Sequence, residues 1–263
     1  MKVNLLTKLL NTAIAGLLLS AANAYAADGS GRHYAVLSLV GDNVTVVFDR
    51  GATGTNLNAN AIEKIGIPDA ELDSAALLAV DNLVAQLQPS AKKELLISND
   101  AGLYRLQGNL FRSSSDADVV LEGLKFALKS KPAATHLILI TKHRGDARLK
   151  LEDISLGHGK LEGLGFYVDS RASVVRTDTG ESGLGLISPY AYMTVRLIDL
   201  STWTVIKERT SDNSTSFANI GEAGQTLNAW SALTPEQKTS ALKRLIQSTV
   251  WDAAKDVLTN KPG

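Results

Sequence analysis

The side chains best suited to acid–base or metal chemistry in this chain are four histidines, His33, His136, His143 and His158. His136 and His143 stand seven residues apart, so on one extended strand they would point to opposite faces. His158 lies in Gly157-His158-Gly159, a tight loop that would expose an imidazole, and His33 borders a small polar linker. No H-E-x-x-H or other dense ligand spacing surrounds them. The sequence therefore assigns no catalytic residue, no metal ligand and no cofactor.

Three fragments, Gly41-Asp42-Asn43, Gly108-Asn109 and Gly157-His158-Gly159, resemble parts of the calcineurin-like phosphoesterase pattern. The D-x-H that opens such a metal site is missing, and Leu110 stands where the histidine after Gly-Asn belongs. Gly157 to Lys160 is not a phosphate loop either: Ile154 occupies the first glycine position and Leu161 follows the lysine. No G-x-S-x-G elbow occurs. With no cysteine in the chain there is no thiolate nucleophile, no disulfide and no acylated cysteine to serve as a lipid anchor. An enzyme would have to gather His136, His143 or His158 with Asp42, Asp146 or Asp153; a periplasmic, metal-dependent hydrolase of that kind is the alternative to a role in binding or assembly.

The elements that would carry these residues follow from periodicity. Pro189 to Thr210 alternates with period two on both sides of a polar centre, which predicts an antiparallel hairpin. Tyr34–Val40 and Thr135–Thr141 are nearly continuous apolar runs, the pattern of strands buried on both faces. Gly41-Asp42-Asn43 is expected to turn the first run into a second strand, Val44–Phe48. Helices are expected over Asp73–Gln88, capped by Asp69 or Asp73, over Ser115–Lys129, and over Thr234–Thr259. The last begins with a T-x-x-Q capping box and a proline at its first position. Strands alternating with helices predict an α/β domain with a mixed sheet and packed helices, a single domain spanning 34–260. Residues 144–188, rich in glycine, read as an insertion of ragged strands and long loops before the hairpin.

Residues 1–26 read as an export signal: Lys2 and Lys8, an apolar core from Ala13 to Leu19, and an A-x-A site at Ala24 and Ala26. That core is shorter than the roughly 20 residues needed to span a bilayer, so cleavage leaves no transmembrane helix. Residues 27–33 form a linker. Loss of the two lysines leaves 25 basic against 27 acidic residues, which gives no support for a nucleic-acid partner. The location expected is periplasmic or secreted.

The hairpin carries a family likeness. Arg196-Leu-Ile-Asp-Leu-Ser-Thr202 with Val205-Ile206 resembles the "R-L-v-D-v-x-T-G-x-v-i" hairpin of bacterial envelope proteins that include the curli secretion channel, the N-terminal domain of the Tol translocation protein and lipoprotein activators of penicillin-binding proteins. Trp203 replaces the turn glycine of that motif. The resemblance implies an envelope protein that acts by binding an envelope protein or by self-association, without chemistry of its own.

The partner surface expected from the sequence is the apolar set within the glycine-rich stretch, Leu164, Phe166, Tyr167, Leu184, Leu186 and Ile187. Apolar side chains on surface loops mark contact sites; the competing reading makes these ordinary core.

Overall fold

A computed structural model describes residues 32–51, 60–67, 69–109, 117–128, 133–151, 154–175, 180, 182–218 and 229–259. The expected signal segment and most of the linker lie outside these residues. Among the described residues thirteen strands occur in chain order: β1 His33–Ser38, β2 Asn43–Phe48, β3 Ala61–Gly66, β4 Lys92–Leu96, β5 His136–Lys142, β6 Arg144–Asp146, β7 Leu149–Leu151, β8 Ile154–Leu156, β9 Lys160–Glu162, β10 Leu164–Val175, β11 Ser182–Asp199, β12 Thr204–Ser214 and β13 Phe217–Ala218. The α-helices are α1 Glu71–Leu87, α2 Ala101–Asn109, α3 Ala117–Leu128 and α4 Pro235–Leu258, with a 3-10 turn at Ala229–Ala232. The α/β architecture with a mixed sheet is as the sequence implies.

Nine of the described strands form one sheet around β11, which is 18 residues long. Along one edge β11 pairs antiparallel first with β10 and then with β5; along the other it pairs with β13 and β12. Beyond β10 lie β2, parallel to it, and then β3. Beyond β5 lie β1 and then β4, all three parallel. The sheet thus forks where β10 and β5 part. Three backbone bonds close the fork: His143 N–H to Tyr192 O (2.9 Å), Gly163 N–H to His143 O (2.9 Å) and Tyr192 N–H to Gly163 O (2.8 Å).

α1 and α4 cover one face across both halves, burying Leu72, Ala76, Leu83, Leu242, Leu245, Ala253 and Val257 against Val36, Ile138, Phe166 and Val195. On the other face α2 and α3 cover the β1–β5 half through Leu103 and Leu124. The short ribbons β6–β9 and β7–β8 sit over the β10 half. No helix among the described residues is long and apolar enough to cross a membrane.

Several expectations are corrected. β1 and β2 are not a hairpin: β1 pairs with β4 and β5, β2 with β3 and β10, and the turn between them carries the chain across the fork. Residues 164–175 and 182–188 are not insertion loops but long strands of the central sheet; the separate ribbons span only 144–162. At the start of α1 the N-cap residue, Ala70, offers no side-chain cap; Asp73 lies inside the helix and is buried, while Asp69 Oδ1 accepts the Glu71 N–H (3.3 Å). The capping box of α4 is present, with Thr234 accepting from the Gln237 N–H. Trp203, at the turn glycine position of the hairpin motif, takes φ +59°, a left-handed conformation usually left to glycine.

Gly165 marks the tightest approach in the sheet. A Cβ there would lie 1.9 Å from the Thr45 carbonyl oxygen and 2.5 Å from the Tyr190 hydroxyl. Gly165→Ala is expected to lower stability by about 1–3 kcal/mol or more through overpacking. Gly66→Ala on edge strand β3, where nothing lies within 4 Å, should leave the melting temperature unchanged. Thermal denaturation of the two variants checks the pair.

Candidate functional site

The six residues expected to form a contact surface lie on β10 and β11. Leu164, Phe166 and Ile187 point into the helix-covered core, where the Phe166 ring meets Trp230 edge-on at 5.3 Å. Tyr167 points to the opposite face, and Leu186 is also buried. Leu184 alone is exposed, at 65%. The run Phe166-Tyr167-Val168 is apolar on both parities because both faces of β10 are covered, the same signature that β1 and β5 display.

Tyrosine hydroxyls hold the ribbons down. The Tyr192 hydroxyl donates to Asp146 O (2.9 Å) and accepts the Arg148 N–H (3.0 Å). The Tyr167 hydroxyl accepts the His158 N–H (3.0 Å). Tyr190 packs edge-on against Tyr192 at 5.7 Å. Burial pushes the Tyr192 phenol up to about 12, so it stays a neutral donor.

Just past the end of β2, the side chain of Asp49 is nearly fully buried and accepts the Gly51 N–H (2.6 Å). His158 Nδ1 is 3.6 Å and Arg171 Nη2 3.5 Å from its oxygens. Burial opposes its ionised form, but the Gly51 N–H, the Tyr167 hydroxyl, His158 and Arg171 outweigh it and hold the carboxyl below its ordinary range.

A second polar cluster ties the β1–β2 turn to three other elements. Asp73 accepts from the Ser38 hydroxyl (2.5 Å), the N–H groups of Val40 (2.9 Å) and Gly41 (3.2 Å), and the Tyr104 hydroxyl (2.7 Å). Gly41 must lack a Cβ, which would sit 2.4 Å from Asp73 Oδ2. Beside it the buried Lys142 ammonium donates to Asp42 Oδ1 (2.5 Å), Asn43 O (3.2 Å) and Asn43 Oδ1 (3.1 Å). Each buried charge has its partners, so these groups act as a structural knot. Nothing in the sequence marked Asp73 as more than a helix cap; only the fold brings Ser38 and Tyr104 to it.

The structure does not bring the histidines together. His136 lies at the amino end of β5, with its ring 5.9 Å from that of Tyr34. His143 leaves the other end of β5 and faces Asp212, Glu208 and Arg196; burial holds its imidazole below the ordinary value. His158 stands by Asp49, and His33 Nδ1 lies 3.0 Å from Ala133 O. Asp42 binds Lys142, Asp146 binds Lys160, and Asp153 lies outside the described residues. Among the described residues no group of three or more His, Asp or Glu could hold a metal ion.

Exposed apolar side chains lie along the rim of the sheet, Ile62 and Ile65 on β3, Leu95 on β4, Val175 on β10, Leu184 on β11, and Val205 and Ile206 on β12, and also on the helices, Leu78 and Leu87 on α1 and Phe126 on α3. Past the register shift between Asp169 and Ser173, β10 and β11 continue as a two-stranded ribbon, Ser173–Val175 against Ser182–Leu184. Val175 is opposite Ser182 and Leu184 opposite Ser173, so both apolar side chains share one face.

No protein-family model and no curated protein matches the chain. Solved structures similar to it include a candidate neuraminyllactose-binding hemagglutinin homologue from Helicobacter pylori, 8% identical, TM-score 0.37, with 88% of each chain covered. They also include the PelC dodecamer from Paraburkholderia phytofirmans, 12% identical, TM-score 0.29, covering 89% of this chain and 91% of that one. A third is a candidate lipoprotein from Caulobacter crescentus, 13% identical, TM-score 0.25, covering 71% of this chain and 99% of that one. None of the three is a curli, Tol or penicillin-binding-protein-activator protein. TM-scores this low carry no argument about function.

Two outcomes follow from the geometry. Phe166→Ala should cost about 3–5 kcal/mol, read as a lower denaturation midpoint, because it empties a site in the core. The folded pKa of Asp49 lies below its unfolded one, so its stabilisation is present above the ordinary carboxylate value of about 3.9 and is lost as pH falls through the folded value. Asp49→Asn should therefore be less stable than wild type at neutral pH, with the gap narrowing below about pH 4. Urea melts across pH check this.

Proposed function

We propose that this chain is an exported bacterial envelope protein that works by binding or assembly, and that the free end of the β10–β11 ribbon is where it engages a partner. The observation that carries the reading is the ribbon itself. Its two strands run past their last contact with a third strand and present Leu184 and Val175, 65% and 56% exposed, on one face. A two-stranded ribbon is marginal in water, and apolar side chains on such an element gain stability when covered. The buried carboxylates and the buried lysine serve the fold. The export signal at 1–26 and the hairpin resemblance support the envelope setting.

The test compares Leu184→Asp/Val175→Asp with wild type. The double variant is expected to keep its melting temperature, because both side chains are exposed, and to lose at least tenfold in cross-linked partner recovered from envelope extract. An unchanged recovery, or a variant that loses its partner only because it unfolds, would remove the basis for the ribbon as the contact site.

A further inference from the structure

Two other edges of the sheet fit each other. β3 and β12 each pair on one side only among the described strands. Ile67 N–H donates to Asp42 O, in register with the β2–β3 ladder, so odd-numbered residues of β3 turn their backbone groups toward β2. The N–H and C=O groups of Ile62, Lys64 and Gly66 therefore point away from the sheet. Thr215 N–H donates to Pro189 O, in register with the β11–β12 ladder, so the backbone groups of Glu208, Thr210 and Asp212 likewise point outward.

The side chains add a sign and a face. Lys64 lies on the ribbon-covered face, 3.5 Å from Glu162, and Glu63 on the helix-covered face. Glu208 lies on the ribbon side with Arg196 (2.5 Å), and Arg209 on the helix side with Asp256 of α4 (3.1 Å). Set antiparallel with Lys64 opposite Glu208 of a second copy, Ile62 meets Thr210 and Glu63 meets Arg209. Outward backbone groups then face outward backbone groups, both helix layers fall on one side, and each charge meets its opposite. Charged residues on an exposed edge ordinarily prevent pairing; here the charges of one edge match those of the other.

We propose that the chain associates with further copies of itself by adding β3 of one copy to β12 of the next, in the register that places Lys64 opposite Glu208 and Glu63 opposite Arg209. The contact is head to tail, so repeated addition gives a ring if it closes and a filament if it does not. It covers Ile62, which is 60% exposed in the single chain, and Ile65. Two networks of alternating sign result, Glu162–Lys64–Glu208–Arg196 and Glu63–Arg209–Asp256, each shared between copies. This contact is separate from the ribbon of the preceding section.

Light scattering on the full chain is expected to show a mass that rises with concentration in multiples of the monomer. Glu63→Lys/Lys64→Glu and Glu208→Lys/Arg209→Glu should each be monomeric alone. Mixed one to one they should assemble, because every contact in an alternating array is again complementary. Lys64→Pro removes an outward N–H without touching the β2–β3 ladder and should also be monomeric with an unchanged melting temperature. Wild type monomeric up to its solubility limit, Lys64→Pro assembling as wild type, or folded charge variants that fail to assemble when mixed would each overturn the proposal. None of these outcomes alters partner capture through Leu184, so the two readings fail separately.

Discussion

The constraint on which the structure depends is the backbone of β11. Beyond its exposed end at Ser182–Leu184, the N–H and C=O groups of this 18-residue strand must be paired once it is buried, and no single neighbour is long enough to do so. One edge is therefore divided between β10 and β5 and the other between β13 and β12. Where β10 and β5 part, the triangle of bonds among His143, Gly163 and Tyr192 fills the gap. The fork ties two half-sheets of different character, one with parallel strands β5, β1 and β4 and one reached through β10.

From that fork follows the division of labour among polar groups. A sheet covered on both faces must satisfy its buried polar side chains internally. The Asp73 knot closes the turn that crosses from β1 to β2, and the tyrosine hydroxyls fix the short ribbons over the β10 half. Asp49 anchors the outer end of that cover. At the rim, β3, β12 and the β10–β11 ribbon expose apolar side chains beside charged ones.

Much of this was legible in the sequence wherever one local pattern decides the outcome. The capping box at Thr234 and Gln237 set the start of α4, and the stripe from Leu242 to Val257 set its buried face. The continuous apolar runs identified β1 and β5 as internal strands. What escaped was long-range. Gly41-Asp42-Asn43 has the composition of a hairpin turn, yet the β1 edges are taken by β4 and β5, and a local signal cannot report that competition. The glycines between 157 and 185 suggested loops, but Gly165 is needed inside a strand because Thr45 and Tyr190 approach its backbone. Of the six apolar residues expected to form a contact surface only Leu184 reaches solvent, since burial of Phe166, Tyr167 and Leu186 depends on helices and ribbons distant in sequence.

Amide hydrogen exchange on the dilute, unassociated protein tests the account most directly, because it reads at once which groups the fold uses and which it leaves free. The slowest amides should run along β11 and the first half of β10, from Leu164 to Val168, with those of Ile62, Lys64, Glu208 and Thr210 and of the ribbon beyond Ser173 exchanging orders of magnitude faster. Exchange at Phe166 and Tyr167 as fast as at Leu184 would contradict the account. So would protection of the outward amides of β3 and β12 in the single chain.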